Sequence, residues 1–230
     1  MYYNNEISEF INTLGVSDFG FCNIENFKDG SLLGEYPGSG SLNYAVSIVI
    51  KLSDAVIDGI TDAPTHSYFH HYRTVNTHID NVLLKLGMYV ESKGYKYIPI
   101  AASQSINGMQ GLFQHKTAAR LAGLGGIGKS GLFISAKYGP RVRLGTLVTD
   151  MPFEVGAPFE KNICGECRKC VLACPAMAIS NTPFSEETPM CGLDRKMCSD
   201  FMKDKFKMIG RGAVCGICMR VCPHGGKNSV

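Results

Sequence analysis

Cys164, Cys167, Cys170 and Cys174 stand as C-x2-C-x2-C-x3-C and are followed by Pro175, and near the end of the chain Cys215, Cys218 and Cys222 with Pro223 repeat the later part of that spacing. A four-iron cube takes three thiolates from one tight loop, while the cysteine before the proline reaches the neighbouring cube. The two runs therefore predict two [4Fe-4S] clusters that exchange ligands. The second run lacks its first member inside the loop, so an upstream cysteine, Cys191 or Cys198, completes it. Two clusters of four thiolates use eight of the ten cysteines, leaving Cys22 and one of Cys191 or Cys198 over.

Two other uses of cysteine compete with this one. A disulfide framework belongs to short secreted chains, whereas these 230 residues open with MYYNNEISEF rather than a basic, apolar leader. A zinc ribbon needs only two C-x2-C pairs, and the third cysteine of the loop and the Cys-Pro ending go beyond that. A net charge of +3 without a long Lys/Arg block demands neither a nucleic-acid nor a membrane surface. The longest apolar stretch, Tyr44 to Ile50, falls far short of a membrane span. A cytoplasmic protein without membrane contact is expected, and clusters near the surface suit a low-oxygen cell.

Composition changes near residue 155. Residues 1–155 read as an α/β domain and residues 156–230 as a small two-cluster, ferredoxin-like domain, with residues 151–162 as the connector. Glu6 to Leu14 fits a short amphipathic helix ended by Gly15, and Tyr44 to Leu52 a strand buried on both faces. Val75, Ile79, Val82, Leu86 and Val90 recur at three-four spacing and predict one long helix from Tyr68 to Lys93, stopped by Gly94. Strands are expected at Tyr95 to Ile100, Leu132 to Ser135 and Val142 to Thr149, and a short helix at His115 to Ala122. Cys22 in FGFCNI reads as a buried strand residue.

The segment AGLGGIGKS, Ala122 to Ser130, satisfies two phosphate-loop patterns by letter: Gly123, Gly125 and Gly128 give G-x-G-x-x-G, and Gly123 to Ser130 gives G-x4-G-K-S. Both patterns work only where a strand feeds the loop and a helix leaves it. Here HKTAARLA before the loop is helical and GLFIS after it is strand-like, so no dinucleotide or ATP site is expected. What remains is a loop without side chains, which permits a close backbone approach to a ligand, or a helix cap followed by a tight turn.

From about Tyr68 to Pro223 the chain resembles epoxyqueuosine reductases and the reductive dehalogenases similar to them. The resemblance is carried by HKTAARLAGLGGIGKSGLFISAKYGPRVRLGTLVTD, CGECRKCVLACPAMAI, LDRKMC and CGICMRVCP, in that order. It implies an α/β, nitroreductase-like layer that binds cobalamin, followed by the two-cluster module. The family's LDxxxC element falls on Leu193 to Cys198. The resemblance thus implies Cys164, Cys167, Cys170 and Cys222 for one cluster, and Cys174, Cys198, Cys215 and Cys218 for the other, with Cys191 spare. It further implies a corrin against Gly123, Gly125 and Gly128, within reach of His115, with Lys129, Arg141 and Arg143 available for its propionamides and nucleotide-tail phosphate.

Where the family carries a catalytic aspartate in G-R-D-Y-H, this chain has Phe69, His70, His71, Tyr72 and Arg73. His71 or Tyr72 is the candidate proton donor, against the plainer reading of a solvated surface pair. Full-length epoxyqueuosine reductases continue into helical repeats that grip transfer RNA, and this chain ends at Val230, so a small-molecule substrate is expected rather than tRNA. Two functions stay open. One is a cobalamin-dependent reductase whose clusters are fed by a low-potential ferredoxin or flavodoxin. The other is a ferredoxin-like electron-transfer protein or corrinoid activator that reduces cobalt on a partner. His224 either tunes a cluster or lies at the surface.

Overall fold

The computed structural model describes residues 2–27, 36, 40–103, 111–185 and 192–225. In chain order its elements are α1 (Asn4–Asn12), β1 (Asp18–Asn23), β2 (Tyr44–Lys51), α2 (Asp54–Asp58), α3 (His66–Ser92), β3 (Tyr97–Ile100), α4 (His115–Leu121), β4 (Gly125–Ile127), β5 (Phe133–Ser135), β6 (Val142–Thr149), α5 (Lys169–Ala173), α6 (Arg195–Lys205) and α7 (Ile217–Arg220). They form two compact units, each assembled from separate stretches of chain. The first comprises Met1–Ile50, Val75–Leu124 and Arg143–Phe159, and the second Lys51–Thr74, Gly125–Val142 and Glu160–Val230. The composition change at residue 155 lies close to the last of these boundaries, whereas the other crossings leave no mark in composition.

The first unit is built on a sheet of order β1-β2-β6-β3. β1 runs antiparallel to β2 from Asp18↔Val49 to Asn23↔Tyr44, and β3 antiparallel to β6 from Tyr97↔Thr149 to Ile100↔Thr146. β2 is buried at every position from Ala45 to Ile50, because both faces of the sheet are covered. On one face Cys22, Ala45, Ile98 and Val148 pack with Ala118 and Leu121 of α4. On the other lies α3, where Val75, Ile79, Val82, Leu86 and Val90 are all buried, as their three-four spacing requires. That helix ends in a Schellman turn: Gly94 adopts φ +85°, and the Gly94 and Tyr95 amides donate to the carbonyls of Glu91 and Val90. α1, whose Ile7 and Ile11 are buried, meets α3 through a stacked Phe10–Tyr89 pair with ring centroids 4.3 Å apart, and Lys93 just beyond α3 pairs with Glu6.

In the second unit β4 and β5 form an antiparallel pair, Gly125↔Ser135 to Ile127↔Phe133, and of the cysteine-bearing helices α5 and α7 are short, while α6 runs for 11 residues. Arg141, almost fully buried, joins α2 to this unit by donating to Asp54 at 3.0 Å and Asp58 at 2.8 Å. The first turns of α3 belong here as well. Tyr68 and Ile60 come so close to Gly216 that no side chain fits there.

Gly145, in β6, is a tight seam between sheet and helix. A methyl group at this position overlaps Ile79 Cγ2 and stands 3.2 Å from Leu83 Cδ1. Gly145→Ala is expected to cost about 1–3 kcal/mol by overpacking, seen as a lower unfolding temperature. Truncating Met88, 59% exposed on α3, is expected to stay within about 0.5 kcal/mol.

Candidate iron-sulfur centre

The first cysteine loop is shaped before any metal is considered. Asn162 Oδ1 accepts from the amides of Cys164 and Gly165, both at 3.2 Å, an Asx turn that folds the chain back on itself. The Cys167 amide donates to the Cys164 carbonyl at 2.9 Å. Cys170 sits in the first turn of α5, and Cys174 follows its last residue, where Pro175 allows no further helix. The second run is built in the same way. Gly216, left-handed at φ +83°, turns the chain into α7, placing Cys215 before the helix, Cys218 on it and Cys222 after it. Cys198 comes from α6, which Asp194 caps by accepting from the Met197 amide at 2.9 Å.

The thiols fall into two neighbourhoods. Cys222 feels the charges of Cys164, Cys170 and Cys167, and all four line one hollow of about 320 Å3, open space at its mouth included. Cys198 feels Cys215 and Cys174, and Cys218 feels Cys215, Cys198, Cys170 and Cys174. Cys218 also borders the hollow, so the two neighbourhoods adjoin. Among the described residues no three His, Cys, Asp or Glu side chains close around a single point as they do for a lone metal ion. The four thiols ring a space instead, which suits a multi-iron cube. Cys191 lies outside the described residues.

Burial pushes the Cys222 thiol up to about 11, the neighbouring sulfurs add to this, and the His224 amide works against it. Burial likewise raises Cys198 to about 11 and raises Cys218 and Cys215. Sulfurs held this way become thiolates only against compensating positive charge, which iron supplies. The donor set therefore fits iron-sulfur clusters. His224 borders the hollow.

Lys129, which the family resemblance offers to a cofactor tail, lies under the first cysteine loop. It is 4% exposed. Its ammonium donates to Gly165 O at 2.8 Å, Cys167 O at 3.1 Å and Asn181 Oδ1 at 2.9 Å, and its backbone amide lies 3.4 Å from Cys164 Sγ. Gly128 makes room, since a Cβ there stands 3.3 Å from the same sulfur. Gly125 is extended along β5, with no space for a side chain beside the Ile134 carbonyl. A helix precedes the glycine segment and strands follow it, so the phosphate-loop order is absent from it.

The other candidate residues also have protein partners. Arg141 is held by Asp54 and Asp58. Arg143 donates to Asn76 Oδ1 at 2.8 Å and to Ala102 O at 3.1 Å. His115 bonds Thr146 Oγ1 through Nδ1 at 2.8 Å and Ala101 O through Nε2 at 3.1 Å; the carbonyl can only accept, so Nε2 carries the proton. His71 Nε2 accepts from the Ser53 amide at 3.0 Å at the start of α2, and burial lowers its pKa. Tyr72 packs edge-on against Tyr68, ring centroids 6.3 Å apart. Cys22 is buried in β1, and its thiol, pushed up to about 12, points at the Ala45 carbonyl. Asn162, Asn181 and Asp194 shape the centre without having been singled out in the sequence. Only Asp194, inside LDRKMC, carried a signal.

Residues 163–225 match the family model described as a 4Fe-4S double cluster binding domain, which makes this an iron-sulfur protein. The chain is a relative of epoxyqueuosine reductases and reductive dehalogenases. It is 32% identical over 108 residues to the epoxyqueuosine reductase of Listeria monocytogenes, covering 46% of this chain and 28% of that one. It is 27% identical over 192 residues to the tetrachloroethene reductive dehalogenase of Desulfitobacterium hafniense, covering 75% and 30%. The match thus spans less than a third of either relative. Its fold is shared over 100% of its length, at a TM-score of 0.79 and 21% identity, with 32% of a reductive dehalogenase whose structure suggests a mechanism for B12-dependent dehalogenation. Epoxyqueuosine reductase from Streptococcus thermophilus aligns at a TM-score of 0.65 and 22% identity, over 97% of this chain and 66% of that one. No helix among the described residues is long and apolar enough to cross a membrane.

His115 gives this region a pH signature. Burial, reinforced by Arg143 and opposed by the Ala101 carbonyl, lowers its pKa from 6.5 to about 4. The unfolded chain therefore binds the His115 proton between those values while the folded chain does not, and stability falls as pH drops from about 6.5 to about 4. The contribution is roughly 2–3 kcal/mol. His115→Gln is expected to flatten this part of the unfolding free energy against pH, measured on the anaerobically prepared protein.

Proposed function

We propose that the chain is the iron-sulfur redox core of a corrinoid-dependent reductase, in which two [4Fe-4S] clusters pass electrons one at a time toward a cobalamin that reduces a small organic substrate. The observation that carries this reading is the grouping of eight thiols into two adjoining sets of four. Cys164, Cys167, Cys170 and Cys222 hold one cluster, and Cys174, Cys198, Cys215 and Cys218 the other. The clusters supply one-electron transfer when bound. The protein holds the sulfurs in place through the Asn162 turn, the Gly216 turn and the Asp194 cap, and the buried Lys129 ties down the carbonyls of Gly165 and Cys167 in the first loop. The adjoining of the sets at Cys170 and Cys218 supports passage of charge from one cluster to the next. A ferredoxin or flavodoxin of low potential is the proposed donor.

Support for the corrinoid comes from relatives, among them the dehalogenase described as B12-dependent. The side chains offered to it, His115, Lys129, Arg141 and Arg143, all bond protein groups, which leaves the backbone around Gly123 as the contact this chain itself offers. The same observation favours a second reading: an electron-transfer protein or activator that delivers electrons to a corrinoid held by a partner. His71 and Tyr72 remain the proposed proton donors if this chain performs the reduction itself.

Anaerobic reconstitution is expected to give about eight irons per chain, and about four or none overturns the reading. Cys222→Ser and Cys198→Ser are each expected to lose about half the iron, while Cys22→Ala keeps it all. Titration with hydroxocobalamin, followed by visible and paramagnetic-resonance spectra, separates the two readings: a ligated, reducible cobalt supports the first and no uptake the second.

A further inference from the structure

Lys129 holds a positive charge that is 4% exposed and gives all three of its protons to uncharged oxygens, those of Gly165, Cys167 and Asn181. Burying an ammonium in this way is costly unless negative charge lies close by. Two of the three acceptors are carbonyls of the loop bearing Cys164, Cys167 and Cys170, and the Lys129 amide points at Cys164 Sγ from 3.4 Å. Four thiolates around an oxidised four-iron cube leave a net charge of about −2, and one further electron makes it about −3.

We propose that Lys129 is the buried counter-charge of the cluster held by Cys164, Cys167, Cys170 and Cys222, and that it raises this cluster's reduction potential. The inference rests on the iron-sulfur reading above. The step is the transfer of one electron from a low-potential donor to the cluster; the donor is oxidised by one electron, the cluster is reduced by one, and no bond is broken. A fixed cation stabilises the more negative product over the less negative reactant. An amide directed at a ligand sulfur acts in the same direction. Gly128 eases this approach: a Cβ there presses on Ile134 Cδ1 at 2.6 Å and stands 3.3 Å from Cys164 Sγ.

The test separates charge from tether. Lys129→Met removes both the charge and the three bonds. Asn181→Asp keeps every bond to the ammonium and sets a carboxylate against it. Each variant is reconstituted with iron and sulfide, reduced stepwise with dithionite, and followed by paramagnetic resonance, with Cys164→Ser identifying which signal belongs to which cluster. The expected result is a more negative potential for the Cys164-ligated cluster in both variants, with the second cluster little changed, and a smaller shift in Lys129→Arg. If Lys129→Met loses iron, Asn181→Asp decides by the same measure. An unmoved potential in Asn181→Asp, or an equal shift of both clusters, overturns the proposal. Wild-type protein that takes up no iron instead defeats the iron-sulfur reading, a failure the iron content shows before any potential is measured.

Discussion

Sulfur charge is the constraint on which the second unit depends. Its cysteines are partly to deeply buried, several of their thiols are raised by burial and by one another, and two of the three helices carrying them are brief. α5 has five residues and α7 four, lengths at which an isolated helix does not hold together in water. Something other than helix propensity fixes these turns. Asx turns, a left-handed glycine and an Asp cap supply part of the order, and bonds from thiolate to iron supply the rest on the function proposed here. The same bonds neutralise the sulfurs that burial otherwise keeps protonated, so fold and charge are satisfied by one event.

Local patterns of the first unit were legible because each comes from one element facing one surface. The three-four spacing of α3, the all-apolar run of β2 and the stop at Gly94 need no knowledge of distant residues. Helix α2 was missed, since DAVID is too short to show a period. β1 was seen only through Cys22, since Gly20 interrupts its six residues and leaves too few to alternate. Membership of Lys51–Thr74 in the cysteine-bearing unit goes with Arg141 reaching Asp54 and Asp58 more than eighty residues away and with Ile60 and Tyr68 lying against Gly216. No local pattern records such a pair.

The site shows the same division. Cysteine spacing announced the clusters because a cube imposes its geometry on the sequence over a few residues. The roles of cations are not imposed in that way. Lys129, Arg141 and Arg143 were read as groups awaiting a cofactor because a charged side chain in a loop or on a strand is ordinarily exposed. Here each is turned inward, and its partner lies between 36 and 87 residues away in sequence. His71 is the counterpart among neutral groups: its ring accepts from the Ser53 amide, which only the fold brings near.

The glycine segment joins these two lessons. Its composition allowed either a close approach to the backbone or a helix cap followed by a tight turn, and its order, helix before and strand after, told against a phosphate. The groups that approach Gly125 and Gly128 most closely belong to β5 and to the first cysteine loop. A glycine next to a lysine then acquires a single physical meaning. The glycine lets Cys164 come near the chain, the lysine amide meets its sulfur, and the lysine ammonium grips the carbonyls on the far side of the loop. Together, on the role proposed here for Lys129, they hold a positive charge where a cube bearing electrons needs one, and they tie a backbone segment that looks like a nucleotide loop to the cysteine loop.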